Sequence, residues 1–271
     1  LWSRGLGDVY KRQVLRSTTI VLAILVLASC GSSSAPVSSP AVVEVSTTMT
    51  FTDYRSALTA RLSDEWGDRA LAARIVDGLD QATIDGYAAR VPMSDVMTSP
   101  RLVYRVPAAS GAVDSIVVFA FGYRGPDGER QPGPVNEAMA RAVAAYVRAH
   151  PTTVYAQTEP AQALRALGVT DVTEVPLQRR ADGTVIYQST ADFTAQLLAQ
   201  LSSNGRQLGR TAVFGFSDHE GRCLLIARGA GIDAVSLDEI AFVSTYDSES
   251  SQPWTRSREA YLPIDLSQRF T

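Results

Sequence analysis

Hydrophobic positions change their spacing twice along this chain. Over roughly Phe51 to Tyr87 they recur at helical intervals, through Leu58 and Leu62 and then Ala70, Ala73, Ile75 and Leu79. A shorter helical stretch follows from Gln81 to Ala88. Thr52 or Asp53 is placed to cap the first helix, and Asp64 or Trp66 to open the second. Arg90 to Pro100 reads as a connection. From Arg101 the spacing becomes strand-like: Leu102 to Val106 is expected at a sheet edge, and Ser115 to Phe121 is a continuous apolar run of strand length. Such a run suits a strand covered on both faces. After the Gly/Pro-rich loop from Gly122 to Pro134, Val135, Met139, Val143, Tyr146 and Val147 form one helical stripe.

The alternation then repeats. Thr152 to Gln157 is a short strand, and Ala161 to Leu167 a helix ended by Gly168. Val172 to Val175 and Thr184 to Tyr187 are weaker strands. Asp192 to Leu201 is a helix with Phe193, Leu197, Leu198 and Leu201 inward. Thr211 to Phe216 is a clear strand and Glu220 to Ala230 a clear helix. Ala234 to Leu237 and Ala241 to Tyr246 complete the strands, and a last helix lies around Arg256 to Phe270. Alternating strands and helices predict an α/β fold, Rossmann-like, with a mostly parallel sheet covered on both faces and a small helical segment before it. In such sheets ligands bind beyond the carboxyl ends of the strands, at a topological switch point.

The amino-terminal end has a different character. Residues 1–13 contain Lys11, the only lysine, and Asp8-Val9-Tyr10-Lys11-Arg12-Gln13 matches a translated sequencing adapter, so this stretch is expected to be foreign to the protein. Residues 14–29 read as a lipoprotein signal peptide: a short apolar run from Ile20 to Leu27, then Leu27-Ala28-Ser29-Cys30. The Cys30 thiol is the expected lipidation site, giving a protein anchored outside the cytoplasm with the membrane as its partner. Residues 30–50, rich in Ser and Pro, form a tether. Residues 51–100 are then a helical segment and residues 101–271 the α/β domain.

Composition narrows the function. With 25 basic and 28 acidic residues the net charge is −3; removing residues 1–29 takes Arg4, Lys11, Arg12, Arg16 and Asp8, which makes it −6. A nucleic-acid footprint is not expected. Two cysteines form no disulfide framework, and two histidines supply no His-rich metal site. Cys223, beside Leu224 and Leu225, is expected to be buried. No run of 18 apolar residues spans a membrane.

The densest chemistry lies in Gly215 to Cys223, where a buried strand meets a helix. Ser217 or Asp218 is a candidate helix cap. His219 in the first turn feels the positive end of the helix dipole, which favours neutral imidazole, a donor or general base. Arg222, one turn on, is the candidate anion clamp, or else it pairs with a neighbouring carboxylate. Gly215-x-Ser217-x-His219 has the shape of a nucleophile elbow, but no His follows His219 to complete a serine triad. His219 and Cys223 have helical metal spacing without further ligands, so no metal is expected. Gly122, Gly125 and Gly128 fail the dinucleotide spacing. Gly122 and Tyr123, just after the first buried strand, are candidates for ligand contact.

Ile116 to Gly122 with the following loop, Arg141-Ala142-x3-Tyr146, Thr152 to Tyr155 and Leu167-Gly168-Val169 resemble the YdcF/SanA/ElyC-like family. So do Thr211 to Phe216, Ser217, His219-x-x-Arg222, Ala230-Gly231-Ile232, Trp254 and Arg258-Glu259-Ala260. The resemblance covers about residues 113–271. It implies a Rossmann-like fold, a role in the cell envelope or peptidoglycan, and a ligand of nucleotide-like kind, one member being reported to bind S-adenosylmethionine; no reaction is generally established there. Where the family has Ser-Gly-Gly, this chain has Ala156-Gln157-Thr158. The acidic residue of the next segment corresponds to Glu159, and the Thr-x-Glu-Asn signature is reduced to Ser189-Thr190 with Asp192. The reading that follows is a lipid-anchored envelope protein binding a small anionic or nucleotide-like ligand or wall precursor. His219 would be the acid/base group, Arg222 the clamp, and Gly122, Tyr123, Ser217, Asp218, Glu159, Ser189 and Thr190 the ligand contacts. The alternatives are a non-catalytic interaction lipoprotein with a degenerate site and, third, a serine hydrolase on Ser217.

Overall fold

A computed structural model describes residues 53–270. The adapter-like stretch, the signal peptide, Cys30 and the tether lie outside them. The strands are β1 (Ser115–Val118), β2 (Thr153–Gln157), β3 (Val172–Val175), β4 (Arg210–Phe214) and β5 (Asp233–Val235). They form one sheet in the order β3-β2-β1-β4-β5, and every neighbouring pair is parallel. The chain moves outward from β1 in one direction through β2 and β3, then returns to pair β4 on the other side of β1. The switch point is thus between the carboxyl ends of β1 and β4.

Alternate residues of each strand serve different layers, which is why the strands read as unbroken apolar runs. Ile116, Val118, Val154, Ala156, Ala212 and Phe214 belong to one core; Val117, Phe119, Tyr155, Val175 and Val213 belong to the other. Against the first core lie α4 (Gly133–Ala149) through Met139 and Val143, α5 (Thr158–Ala166) through Leu164, and α8 (Arg258–Arg269) through Leu262 and Leu266. The second core is closed by α6 (Thr190–Ser203) with Phe193 and Leu197, and by α7 (Ser217–Gly229) with Cys223 and Leu224. Each such buried side chain stabilises by about 1.5–3 kcal/mol.

The amino-terminal helices α1 (Tyr54–Trp66), α2 (Arg69–Asp77) and α3 (Gln81–Arg90) share the first core through Leu58, Leu62, Ile75 and Ile84. Their starts are set by three aspartates: Asp53, Asp68 and Asp80 accept the backbone N–H of Ser56, Leu71 and Thr83. The second helix therefore opens at Asp68, and Asp64 and Trp66 belong to the last turn of α1. Gly67, at φ 64°, makes the left-handed corner between the two.

Three expected strands are absent. Leu102 to Val106 is irregular after a 3-10 turn at Pro100–Leu102, because the N–H groups of Tyr104 and Arg105 donate to the buried Glu65 carboxylate at 2.7 and 2.9 Å instead of to a sheet. Thr184 to Tyr187 makes only a single antiparallel bridge, Val185 with Arg179. Ala241 to Tyr246 is loop, with Phe242 45% exposed. Among the described residues no helix is long and apolar enough to cross a membrane.

Candidate functional site

A cleft of about 60 Å³ opens beyond the carboxyl ends of the strands, at the switch point. The turn after β1 contributes Gly122 and Tyr123, the end of β2 contributes Gln157, and α5 contributes Glu159. Thr190 comes from the start of α6, His219 and Arg222 from α7, and Tyr261 from α8.

Local chemistry fixes the turn after β1. Asn136, fully buried in the first turn of α4, accepts from the N–H of Phe121 at 3.0 Å and donates to the carbonyls of Gly122 and Pro132 at 2.8 and 2.6 Å. Gly122 has φ 68°, and a Cβ there would stand 2.6 Å from Ser250 Oγ and 2.7 Å from Thr255 Oγ1. Its glycine is thus demanded by the carboxyl-terminal loop packing on it as well as by backbone conformation. Tyr123 donates to Asp127 at 2.5 Å and lies under the Arg130 guanidinium, 4.2 Å from ring to carbon; burial pushes its hydroxyl up to about 12.

Helix α7 starts at Ser217 with Phe216 as its cap residue, so neither Ser217 nor Asp218 caps it by its side chain. The Ser217 N–H donates to the Val243 carbonyl. Asp218 is a strut between helices: it accepts from Arg258 Nε and Nη2 at 2.8 and 3.0 Å and from Tyr246 Oη at 2.8 Å. Ser189 caps α6 in a reciprocal capping box with Asp192. Ser217, Asp218 and Ser189 do not line the cleft, whereas Gly122, Tyr123, Glu159, Thr190, His219 and Arg222 do.

Arg222 is buried and already engaged. Its Nε donates to Asp265 at 2.5 Å, Nη1 to Thr190 Oγ1 at 3.1 Å and Nη2 to Tyr261 Oη at 3.1 Å. Asp265 also accepts from Arg269 Nε at 2.5 Å, and Arg269 stacks over the Tyr104 ring at 3.6 Å. Burial opposes ionisation of Asp265, but Arg269 and Arg222 overcome it and hold the carboxyl far below its ordinary range. Two guanidiniums and one carboxylate leave this cluster one positive charge in excess, and Arg222 is its member that lines the cleft.

His219 is buried, and its pKa falls to about 4, first because burial penalises the cation and then because Arg222 repels it. Its Nδ1 lies 3.9 Å from Asp265 Oδ1, beyond hydrogen-bond reach, and has no other partner. The carboxylate nevertheless favours the proton on Nδ1. The neutral ring lines the cleft, and its unprotonated nitrogen is a hydrogen-bond and proton acceptor. Glu159, with Arg130 Nη1 3.5 Å away, is pushed up by burial, which outweighs that guanidinium.

Sequence reasoning missed Asp265, Arg269 and Tyr261, the amide of Gln188, and Asn136, whereas Gln157 was marked by its place at a strand end. Of these only Asn136 carried a local signal, a polar residue within an apolar helical stripe. Among the described residues no three His, Cys, Asp or Glu side chains are grouped as metal ligands. The enclosed part of the cleft, about 60 Å³, is smaller than the cavity of about 150 Å³ that holds benzene, so it would not enclose the adenosyl group implied by the family resemblance. No protein-family model, curated protein or solved structure matches the chain.

Proposed function

We propose that this is a lipid-anchored extracytoplasmic protein of the YdcF-like kind, acting in the cell envelope by binding the small anionic end of a ligand in the cleft. The ligand is then a wall precursor or nucleotide-like molecule whose bulk stays outside. The observation that carries this reading is the convergence at the switch point of His219 and Arg222, backed by an excess buried cation, with Gly122, Tyr123, Glu159 and Thr190 from other segments. If the site performs chemistry, His219 accepts the proton and Arg222 and Arg130 hold the anion.

One observation favours a second reading, a non-catalytic interaction lipoprotein: each guanidinium nitrogen of Arg222 already has a protein partner. Thermal shift and titration of the protein with inorganic phosphate, nucleotides, S-adenosylmethionine and wall precursors separate the two. The binding reading expects a hit that weakens at least about tenfold in His219→Ala and Arg130→Ala. Ligand affinity unchanged in both variants would sink it. A hydrolase on Ser217 requires labelling by a fluorophosphonate probe, and Ser217→Ala is expected to leave binding untouched. Palmitate incorporation lost in Cys30→Ser tests the anchor.

A further inference from the structure

The inner end of the cleft is cationic and its mouth is aromatic. Tyr187, just before α6, and Trp254, in the 3-10 turn Pro253–Thr255, both line it. Their ring centroids are 6.2 Å apart and their planes stand at 75°. Tyr187 is 49% exposed. Rings at nearly a right angle make a corner, and a corner leaves no parallel-faced slot in which a flat heterocycle could be sandwiched. It suits a thick, puckered ring that lays one C–H face on an aromatic surface and turns an edge to the other.

Between mouth and floor stand two amides whose orientation is fixed from both sides. Gln157 Oε1 accepts from the Ala120 N–H at 2.7 Å, Gln157 Nε2 donates to Gln188 Oε1 at 2.9 Å, and Gln188 Nε2 donates to Gln196 Oε1 at 2.9 Å. Each amide oxygen keeps a second lone pair and each nitrogen a second hydrogen. Paired donors and acceptors held in place match hydroxyl groups, which both give and take a hydrogen bond. The enclosed space of about 60 Å³, which Tyr187 and Trp254 also line, admits a carboxylate or phosphate, so a ring carried by the ligand rests at its rim.

We propose that the cleft binds a pyranose bearing an anionic substituent: its C–H face in the Tyr187–Trp254 corner, its hydroxyls on the Gln157 and Gln188 amides, and its carboxylate or phosphate directed inward to Arg130 and Arg222. This rests on the anion-binding reading above and adds the class of molecule to it. A nucleobase, the other common guest of aromatic rims, could stack on only one of these two rings and not between them, and AMP in the test below separates the two guests.

Isothermal titration of the full-length protein with glucose 1-phosphate, glucuronate, glucose, inorganic phosphate and AMP tests it. The expected result is that at least one sugar anion binds about tenfold more tightly than inorganic phosphate, glucose and AMP. Trp254→Ala and Tyr187→Ala each remove most of that preference while phosphate affinity stays the same. Should Trp254→Ala unfold, Tyr187→Ala carries the test, because its ring is half-exposed. AMP binding more tightly than both sugar anions, equal affinity for phosphate and the sugar anions, or a preference surviving both aromatic variants overturns the sugar assignment alone. Failure of all five ligands to bind a cooperatively folded protein overturns both it and the anion-binding reading.

Discussion

Asp265, on α8 behind Arg222, and Glu220, on α7 facing Ser236 after β5, are both buried carboxyls, and their charge states are opposite. Asp265 sits between Arg222 and Arg269, with a further hydrogen bond from Tyr261 at 2.9 Å, and is held ionised. Glu220 receives one hydrogen bond, from the buried Ser236 hydroxyl at 2.8 Å, and burial pushes it up to about 8. Comparable burial gives opposite results because in one place two fixed cations outweigh desolvation, while in the other a single hydroxyl is too little to compensate a charge. The Arg222 side of α7 keeps its charge where a ligand can feel it; the Glu220 side stays neutral and packs.

The strongest way to break this contrast is to remove Asp265. Asp265→Ala leaves Arg222 and Arg269 buried without their counter-ion and is expected to cost about 3–5 kcal/mol, read as a lowered urea midpoint at unchanged slope. Next comes Glu220→Gln. The folded protein retains a proton that the unfolded chain loses above its ordinary value of 4.5, so stability falls as pH rises through that window to about 8. The glutamine variant is expected to lack this fall and to exceed the parent by a few kcal/mol at pH 8. Melting curves between pH 5 and 8.5 check it, and an unchanged slope refutes a neutral Glu220.

His219 has the opposite sign. Its depressed pKa means the unfolded chain binds a proton below 6.5 that the folded protein refuses until about 4, so stability is present above 6.5 and lost on acidification to about 4. His219→Leu is expected to flatten that acid limb by up to about 3 kcal/mol, the order set by the shift. With both residues intact the two slopes oppose each other between pH 4.5 and 6.5, giving a plateau there and a decline above it. The smallest effect is expected for Ser236→Ala, about 1 kcal/mol from one lost hydrogen bond. It should also move the alkaline end of the Glu220 window upward, since the Ser236 bond lowers that pKa.

Some of this was legible in the chain and some was not. β1 and β4 stood out because both faces of each are buried, leaving no polar alternation to blur the run. His219 and Arg222 could be paired from their spacing, and Gly122 from its place after a strand. Leu102 to Val106 misled because its apolar residues cover the core without joining the sheet, its N–H groups being taken by Glu65, some forty positions earlier. Asp218 looked like a cap by its position, yet Arg258 and Tyr246, far along the chain, claim its carboxylate.

The sequence by itself determined the parallel α/β layering, the capped start of the first helix at Asp53, and the segment where chemistry is concentrated. Those depend on periodicity and turn chemistry within a few residues. Only the tertiary structure decided what Arg222 does with its charge, which ring nitrogen of His219 lacks a partner, and how little room the cleft leaves. Asp265 lies 43 residues beyond Arg222, and Asp265 with Arg269 reads locally as an ordinary pair on one helix face. Burial by the packing of α8 on α7 turns that pair into the charged support behind Arg222, because the strength of a charge depends on the solvent that folding removes around it.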